Sequence, residues 1–323
     1  MTREVKIESL VALERAGVDV QFLGSLLWFT IADLRVTRDE LAAAIHEAGI
    51  DQKYLPRPIS PRDAFRRATK KVELKEHPLG DGRFLNLLVR DVAQDREKIV
   101  RHVVREIRDK QNVRLQFLPV VDLRLFDDDP GATLAIIPLT DLMDDERRAV
   151  ERFRRDFEVE KQSYNGCTVR DIVMDVLQDC DPVKVRPSGG VYFTPEEHGE
   201  KIEALKRLVG NLAKHNTNGH KSTLWSIPVI NAEEQKEMLQ ESLEDQVRTD
   251  SASLVVEMLD IIEGGKRKIT PALAQQYIER VQRLGNLVGK YEEMLQVQTV
   301  SAKANYELAM GRAIALLSRV AAA

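Results

Sequence analysis

The sequence predicts an α+β chain, mostly helical, and three observations carry that expectation. Ala, Leu, Glu, Arg and Lys dominate while aromatics supply 5% of residues, a balance that favours helix. Residues 35–92 read as a helix, a very basic helix and a β-hairpin in succession. The last third spaces its apolar residues by threes and fours, as long packed helices do. A chain of 323 residues has room for two or three cores. The expected division is 1–95, a winged-helix-like domain; 96–231, a central α/β region with hairpins; and 232–323, a long-helix hairpin or coiled coil.

Apolar residues at 43% and charged residues at 31% describe a globular protein. The formal net charge of −4 excludes a protein that is basic throughout, so any nucleic-acid contact has to come from a local patch. Cys167 and Cys180 are the only cysteines. The opening MTREVKIESLVALERAG has no apolar signal region, so the expectation is reduced thiols and a cytoplasmic protein. Phe22 to Ala32, the longest apolar stretch, is too short to span a bilayer.

Taken in order, Val5 to Ala16 reads as a short amphipathic helix closed by Gly17. Phe22 to Ala32 is apolar on nearly all sides, contains Trp28 and Phe29, and is expected to be buried. Thr37 and Glu40 form a capping box, Leu41, Ala44, Ile45 and Ala48 make one stripe, and Gly49 ends that helix. Ser60 caps the next helix, with Pro61 at its first position and Asp63 at the positive dipole end. There Ala64, Phe65, Ala68 and Val72 face inward, and the cations point elsewhere. Residues 78–82, PLGDG, turn between two strand-like runs. Helix, basic helix and hairpin in that order read as a winged helix-turn-helix.

Arg96 to Lys110 reads as a helix with Ile99, Val103 and Ile107 on its inner face. Strands are expected at Val113–Phe126 and Thr133–Ile137 around the DDDPG turn, then helices at Asp144–Phe157 and Thr168–Leu177. PVKVRPSGGVYFTP is a hairpin by turn chemistry. Helix Glu196–Leu212 and a strand-like LWSIPVI follow. Ala232 to Glu263 is helical, with ten carboxylates against two cations. Beyond Gly264-Gly265 and the Lys266-Arg267-Lys268 cluster, a seam runs through Leu273, Tyr277, Val281, Leu284, Val288, Tyr291 and Leu295. It slackens at Gln298 and Ala302 and resumes from Tyr306 to Val320. Two long antiparallel helices, or a hairpin pairing with another copy, would bury it.

The basic helix is the leading site. Residues 57–75 hold seven cations against two carboxylates, a local balance of +5. Arg62, Arg66, Arg67, Lys70 and Lys71 on such a rod suit phosphate contacts, which give salt-sensitive affinity with little base reading. The same charge also suits a solvated surface or a protein contact. Lys184 and Arg186, on one arm of the second hairpin, make a candidate second wing. The acidic run 233–263 suits a basic partner or simply a solvated face. Walker A loops, dinucleotide fingerprints, nucleophile elbows, HExxH and paired CxxC motifs are absent, so no catalytic residue, cofactor or metal is expected. An unfamiliar enzyme site using Asp122 and Asp127 is the remaining enzymatic option.

At RDAFRRAT (62–69) and RPSGGVYFTP (186–195) the chain resembles an uncharacterised family found in bacteria and phages, over most of its length. That resemblance implies no assigned activity and supplies no catalytic residue. The expectation is therefore a non-enzymatic protein that binds nucleic acid, DNA foremost, and self-associates through residues 232–323. The alternative is a scaffold or adaptor whose winged-helix-like domain docks protein.

Overall fold

The computed structural model describes residues 21–80, 82–128, 131–186, 188–264 and 270–321. The expected helix at 5–16, the cation cluster at 266–268 and the tip of the DDDPG turn lie outside them. Within the described residues the chain is α+β and mostly helical, with eight α-helices and three antiparallel sheets.

The first sheet pairs β11 (Thr223–Ile230), β1 (Phe22–Thr30), β10 (Tyr192–Pro195) and β9 (Val183–Lys184), in that order. One face of it packs on α1 (Arg38–Ala48), α4 (Gly166–Gln178) and α5 (Gly199–Leu212), around Leu27, Leu41, Ile45, Val173, Leu205 and Leu208. The other face packs on the C-terminal helices through Leu23, Phe193 and Val229. A two-stranded ribbon of β2 (Arg35–Thr37) and β8 (Ser163–Asn165) leads into the second unit. That unit is a five-stranded meander, β3 (Leu74–Gly80), β4 (Arg83–Gln94), β5 (Lys98–Arg108), β6 (Arg114–Asp128) and β7 (Gly131–Pro138). Its inner face is covered by α2 (Pro61–Lys70) and α3 (Asp144–Gln162), around Phe65, Leu85, Leu87, Val103, Leu123, Phe153 and Phe157.

Five expectations are corrected. Residues 96–110 are not helical: Lys98–Arg108 is the central strand β5, paired with β4 and β6 along its length. Ile99, Val103 and Ile107 are four apart, a spacing that helices and strands share because four is even, and the β-branched run Ile-Val…Val-Val decides for strand. A helix-turn-helix pair is not formed: α1 is buried in the first core and α2 in the second. The hairpin after α2 is no free wing but the first two strands of the meander, and the boundary expected at residue 95 falls inside its β4–β5 hairpin. Phe22–Thr30 is a strand, so alternate side chains leave the core and Trp28 is exposed.

The fifth correction concerns the C-terminal seam. It belongs to three helices, α6 (Glu233–Gly264), α7 (Pro271–Leu295) and α8 (Val300–Ala321). The slack at 296–299 is a break, with Gln296 left-handed at φ 57°. Met258, Tyr277, Val281, Ala309, Ala313 and Leu316 close on one another within the chain. The chain itself buries Tyr277, Val281, Leu284, Val288, Tyr291, Leu295 and Ala313 of the seam, whereas Leu317 is exposed.

Candidate nucleic-acid interface

The start of α2 forms as its sequence dictates: Ser60 Oγ accepts the Asp63 N–H at 3.1 Å, and Pro61 occupies the first turn. Phe65 sets the helix's rotation by meeting Phe153 and Phe157 of α3 edge-on, with ring centroids 5.9 and 6.3 Å away. With Ala64, Phe65, Ala68 and Thr69 buried, the five predicted cations are turned outward or along the helix flanks.

They do not share one fate. Arg62 donates to the carbonyls of Asp95, at 2.7 Å, and Arg96, bracing the β4–β5 turn. Arg67 and Lys71 both reach Glu160 of α3, at 3.3 and 2.7 Å, and Arg35 of β2 joins them at 2.7 Å. Glu160 is 1% exposed. Its burial alone would raise the carboxyl's pKa, yet the hydrogen bonds from Arg35 and Lys71 outweigh this and hold it below the ordinary value. These cations are structural partners of a buried acid, so Arg62, Arg67 and Lys71 are not free contacts. Among the described residues Arg66 pairs only with exposed Asp63, at 3.2 Å. Lys70 is exposed and has no side-chain partner among the described residues.

Beside α2 lies a residue that the sequence reading missed. Arg101 projects from β5, donates to Asp91 and Thr69, both at 2.7 Å, and joins Arg66, Arg67 and Lys70 around a concavity of about 390 Å³. Glu73 is the one carboxylate lining it, and it accepts the Val89 N–H at 3.4 Å. Arg101 lies two residues from both Ile99 and Val103, so on a strand it shares their inner face and meets Thr69 of α2, a placement hidden by the helix reading. Glu146 and Glu160 carried a clearer signal. Both fall in the apolar register of Phe153 and Phe157 on α3, where a carboxylate demands a buried cation. Glu146 finds Arg105, whose Nε lies at 2.6 Å.

Lys184 and Arg186 are elsewhere. They sit on the edge of the first sheet, where the Lys184 N–H donates to Gln246 Oε1 at 2.8 Å and Gln246 returns a bond to the Pro182 carbonyl. The cleft there is lined by Lys184 and Arg248 together with Glu241, Asp245 and Asp250, three carboxylates against two cations, and it lies apart from the concavity beside α2. Arg186 is exposed on the same hairpin, which is docked on α6 and makes no second wing.

A further charged cluster joins α7 to the body. Asp181, Glu197 and His198 bring their ligand atoms within 4.8 Å of one another, a grouping able to hold a metal ion. Lys290 Nζ stands among them, bonded to Asp181 and Glu197 and 3.4 Å from His198 Nε2. The chain's own ammonium thus takes the cation position, and the cluster is an ion-pair hub. Asp122, one of the enzymatic candidates, is buried and bonded by Arg124 through Oδ2 at 2.6 Å.

A family model, described as a family of unknown function (DUF6744), matches residues 22–322. The chain belongs to DUF6744. No curated protein and no solved structure matches it. The DUF6744 match runs from β1 through α8, so the basic concavity, the Glu160 hub and the Lys290 hub all fall inside it. Among the described residues, no helix is long and apolar enough to cross a membrane.

Proposed function

We propose that this protein binds the phosphate backbone of nucleic acid, DNA foremost, through the concavity between α2 and β5. The observation that carries the reading is the convergence there of Arg66, Arg67, Lys70 and Arg101, with Glu73 the one carboxylate of the lining and Asp63, Glu160 and Asp91 each pairing one of the arginines from beside it. Lys70 and Arg66 supply the mobile contacts. Arg67 and Arg101 are anchored by Glu160, Asp91 and Thr69 and supply a fixed positive floor. The Glu160 hub next to it adds to the field, since Arg35, Arg67 and Lys71 outnumber its one buried carboxylate. Such contacts position a strand without reading bases. The proposal does not need a winged helix, because the floor is a β-strand.

The test is salt-titrated binding of a fluorescent duplex. Each phosphate contact steepens the fall of log affinity with log salt by roughly 0.9 on B-DNA. Arg66→Glu with Lys70→Glu should lower affinity at every salt and flatten the slope by about two contacts, leaving the unfolding midpoint unchanged. Wild-type protein that fails to bind at low salt, or a double variant that binds equally well, overturns the reading and leaves the scaffold alternative.

A further inference from the structure

Alternate side chains of a strand point to opposite faces of its sheet. In the five-stranded meander, the register that turns Leu85, Leu87, Val103 and Leu123 toward α2 and α3 therefore turns Leu88, Val104, Phe117 and Ile137 away from them. Among the described residues, no side chain of this outer face joins any of the four buried cores. An antiparallel sheet face left to water is normally polar, yet Phe117 and Ile137 stand there exposed. The charge beside them is mostly positive. On β4, β5 and β6 the register places Arg90, Lys98, Arg108, Arg114 and Arg124 on this face, against Glu106 and Asp122. Both carboxylates are buried beneath cations: Arg108 and Arg114 each reach Glu106 at 2.9 Å, and Arg124 reaches Asp122 at 2.6 Å.

That surplus of positive charge selects the partner. A second copy laid face to face would set these cations against themselves, so the face suits an anion. Phe117 narrows the choice. Arg114 lies over its ring, with Cζ 4.6 Å from the centroid, which puts a flat aromatic surface and a phosphate ligand side by side. Phe84 pairs across the strands with Arg108, and Phe126 with Lys98, so both ends of the face repeat the combination. An acidic peptide would use the cations and leave the rings idle. A single nucleic-acid strand uses both, stacking bases on aromatics while its phosphates track the cations. From Phe117 to Phe126 is about 30 Å of strand, room for the ~4 or more nucleotides that such platforms hold. We propose that the outer face of the meander binds single-stranded nucleic acid, with a base on Phe117 and phosphates on Arg90, Arg114 and Arg124. The concavity beside α2 opens on the other side of the same sheet, so this site does not rest on that one.

Fluorescence anisotropy of a labelled oligothymidylate strand with the full chain tests it. The wild type should bind at low salt, and Phe117→Ala should weaken binding about tenfold or more, the worth of one stacked base. Its unfolding midpoint should not move, because the ring is exposed, and Phe117→Tyr should bind as wild type. Arg66→Glu with Lys70→Glu should keep the single strand while losing the duplex. Ultraviolet cross-linking of a strand carrying 5-bromouracil should mark a peptide of β6. Wild-type protein that ignores the strand, or Phe117→Ala that binds it equally well, overturns the inference whatever the duplex does. Polyglutamate that displaces the strand as well as unlabelled oligothymidylate does overturns it in favour of an acidic peptide. A wild-type dimer that Phe117→Ala converts to monomer overturns it in favour of a second copy.

Discussion

Glu160 sits at the register of Phe153 and Phe157 on α3, where a carboxylate belongs only if cations come to it. Three do, from β2 and the end of α2, and against its burial the hydrogen bonds from Arg35 and Lys71 hold its pKa below the ordinary value. A carboxyl depressed in the folded state stabilises the fold fully above the ordinary Glu range, and that contribution is lost as pH falls through its folded value. Glu160→Gln should therefore lower the urea midpoint at pH 7. The cost should stay below the about 3–5 kcal/mol of a fully buried broken pair, because Arg35, Arg67 and Lys71 are each about one-third exposed and can rewet. Between about pH 5 and 3 the variant should lose less further stability than wild type. Urea titrations across that range decide it, and parallel acid limbs would refute the assignment. At this scale the sequence was half legible. It showed the cations of α2 as a charge run, but not which were committed to an acid ninety residues away.

Elements whose signals are local were read correctly. The Thr37–Glu40 box closes as its residue types require, with Thr37 Oγ1 bonding Glu40 at 2.7 Å, and Ser60 caps α2. The β3–β4, β6–β7 and β9–β10 pairings follow from turn chemistry. Elements whose identity depends on long-range pairing were not: β5 reads as helix until its neighbours are known, and β1 reads as a buried segment until its two faces are separated. Close approach between strands is equally invisible in sequence. A Cβ on Gly24 of β1 would stand 2.0 Å from the Thr194 carbonyl oxygen and 2.9 Å from Pro195 Cα, backbone atoms of β10 that cannot step aside. Gly24→Ala should thus destabilise by about 1–3 kcal/mol as β1 and β10 are forced apart. Gly210 in α5 has nothing within 4 Å of the same added atom, so Gly210→Ala should be neutral or stabilise by up to about 1 kcal/mol. Denaturant unfolding of the two variants should show opposite signs or one null effect, and equal losses would refute the steric account.

At the scale of the molecule the first sheet is a shared wall, with α1, α4 and α5 on one side and the C-terminal helices on the other. Tyr291 is one of the residues that fasten the helices to it. Tyr291 of α7 is fully buried, its ring meets Phe193 of β10 edge-on at 6.0 Å, and its hydroxyl donates to the Asp181 carbonyl at 2.8 Å. Asp181 is left-handed there, at φ 49°, and its side chain is bonded by the neighbouring Lys290. Because Leu23, Phe193 and Val229 share a core with Leu239, Leu243, Leu287 and Val288, the helices cannot leave without opening the wall. The wild type should then unfold with one midpoint, whether followed by tryptophan emission from β1 and β11 or by far-ultraviolet dichroism, which is dominated by the helices. Tyr291→Phe removes one hydrogen bond and should cost about 0.5–1.5 kcal/mol with the two midpoints still coincident. Tyr291→Ala removes the ring as well, at about 3–5 kcal/mol, and empties a site where the wall, the Asp181 turn and α7 meet. Its two probes should separate, helical signal falling before the tryptophans redden. Coincident midpoints in Tyr291→Ala would mean that the helices are held by the whole face and not by this fastening.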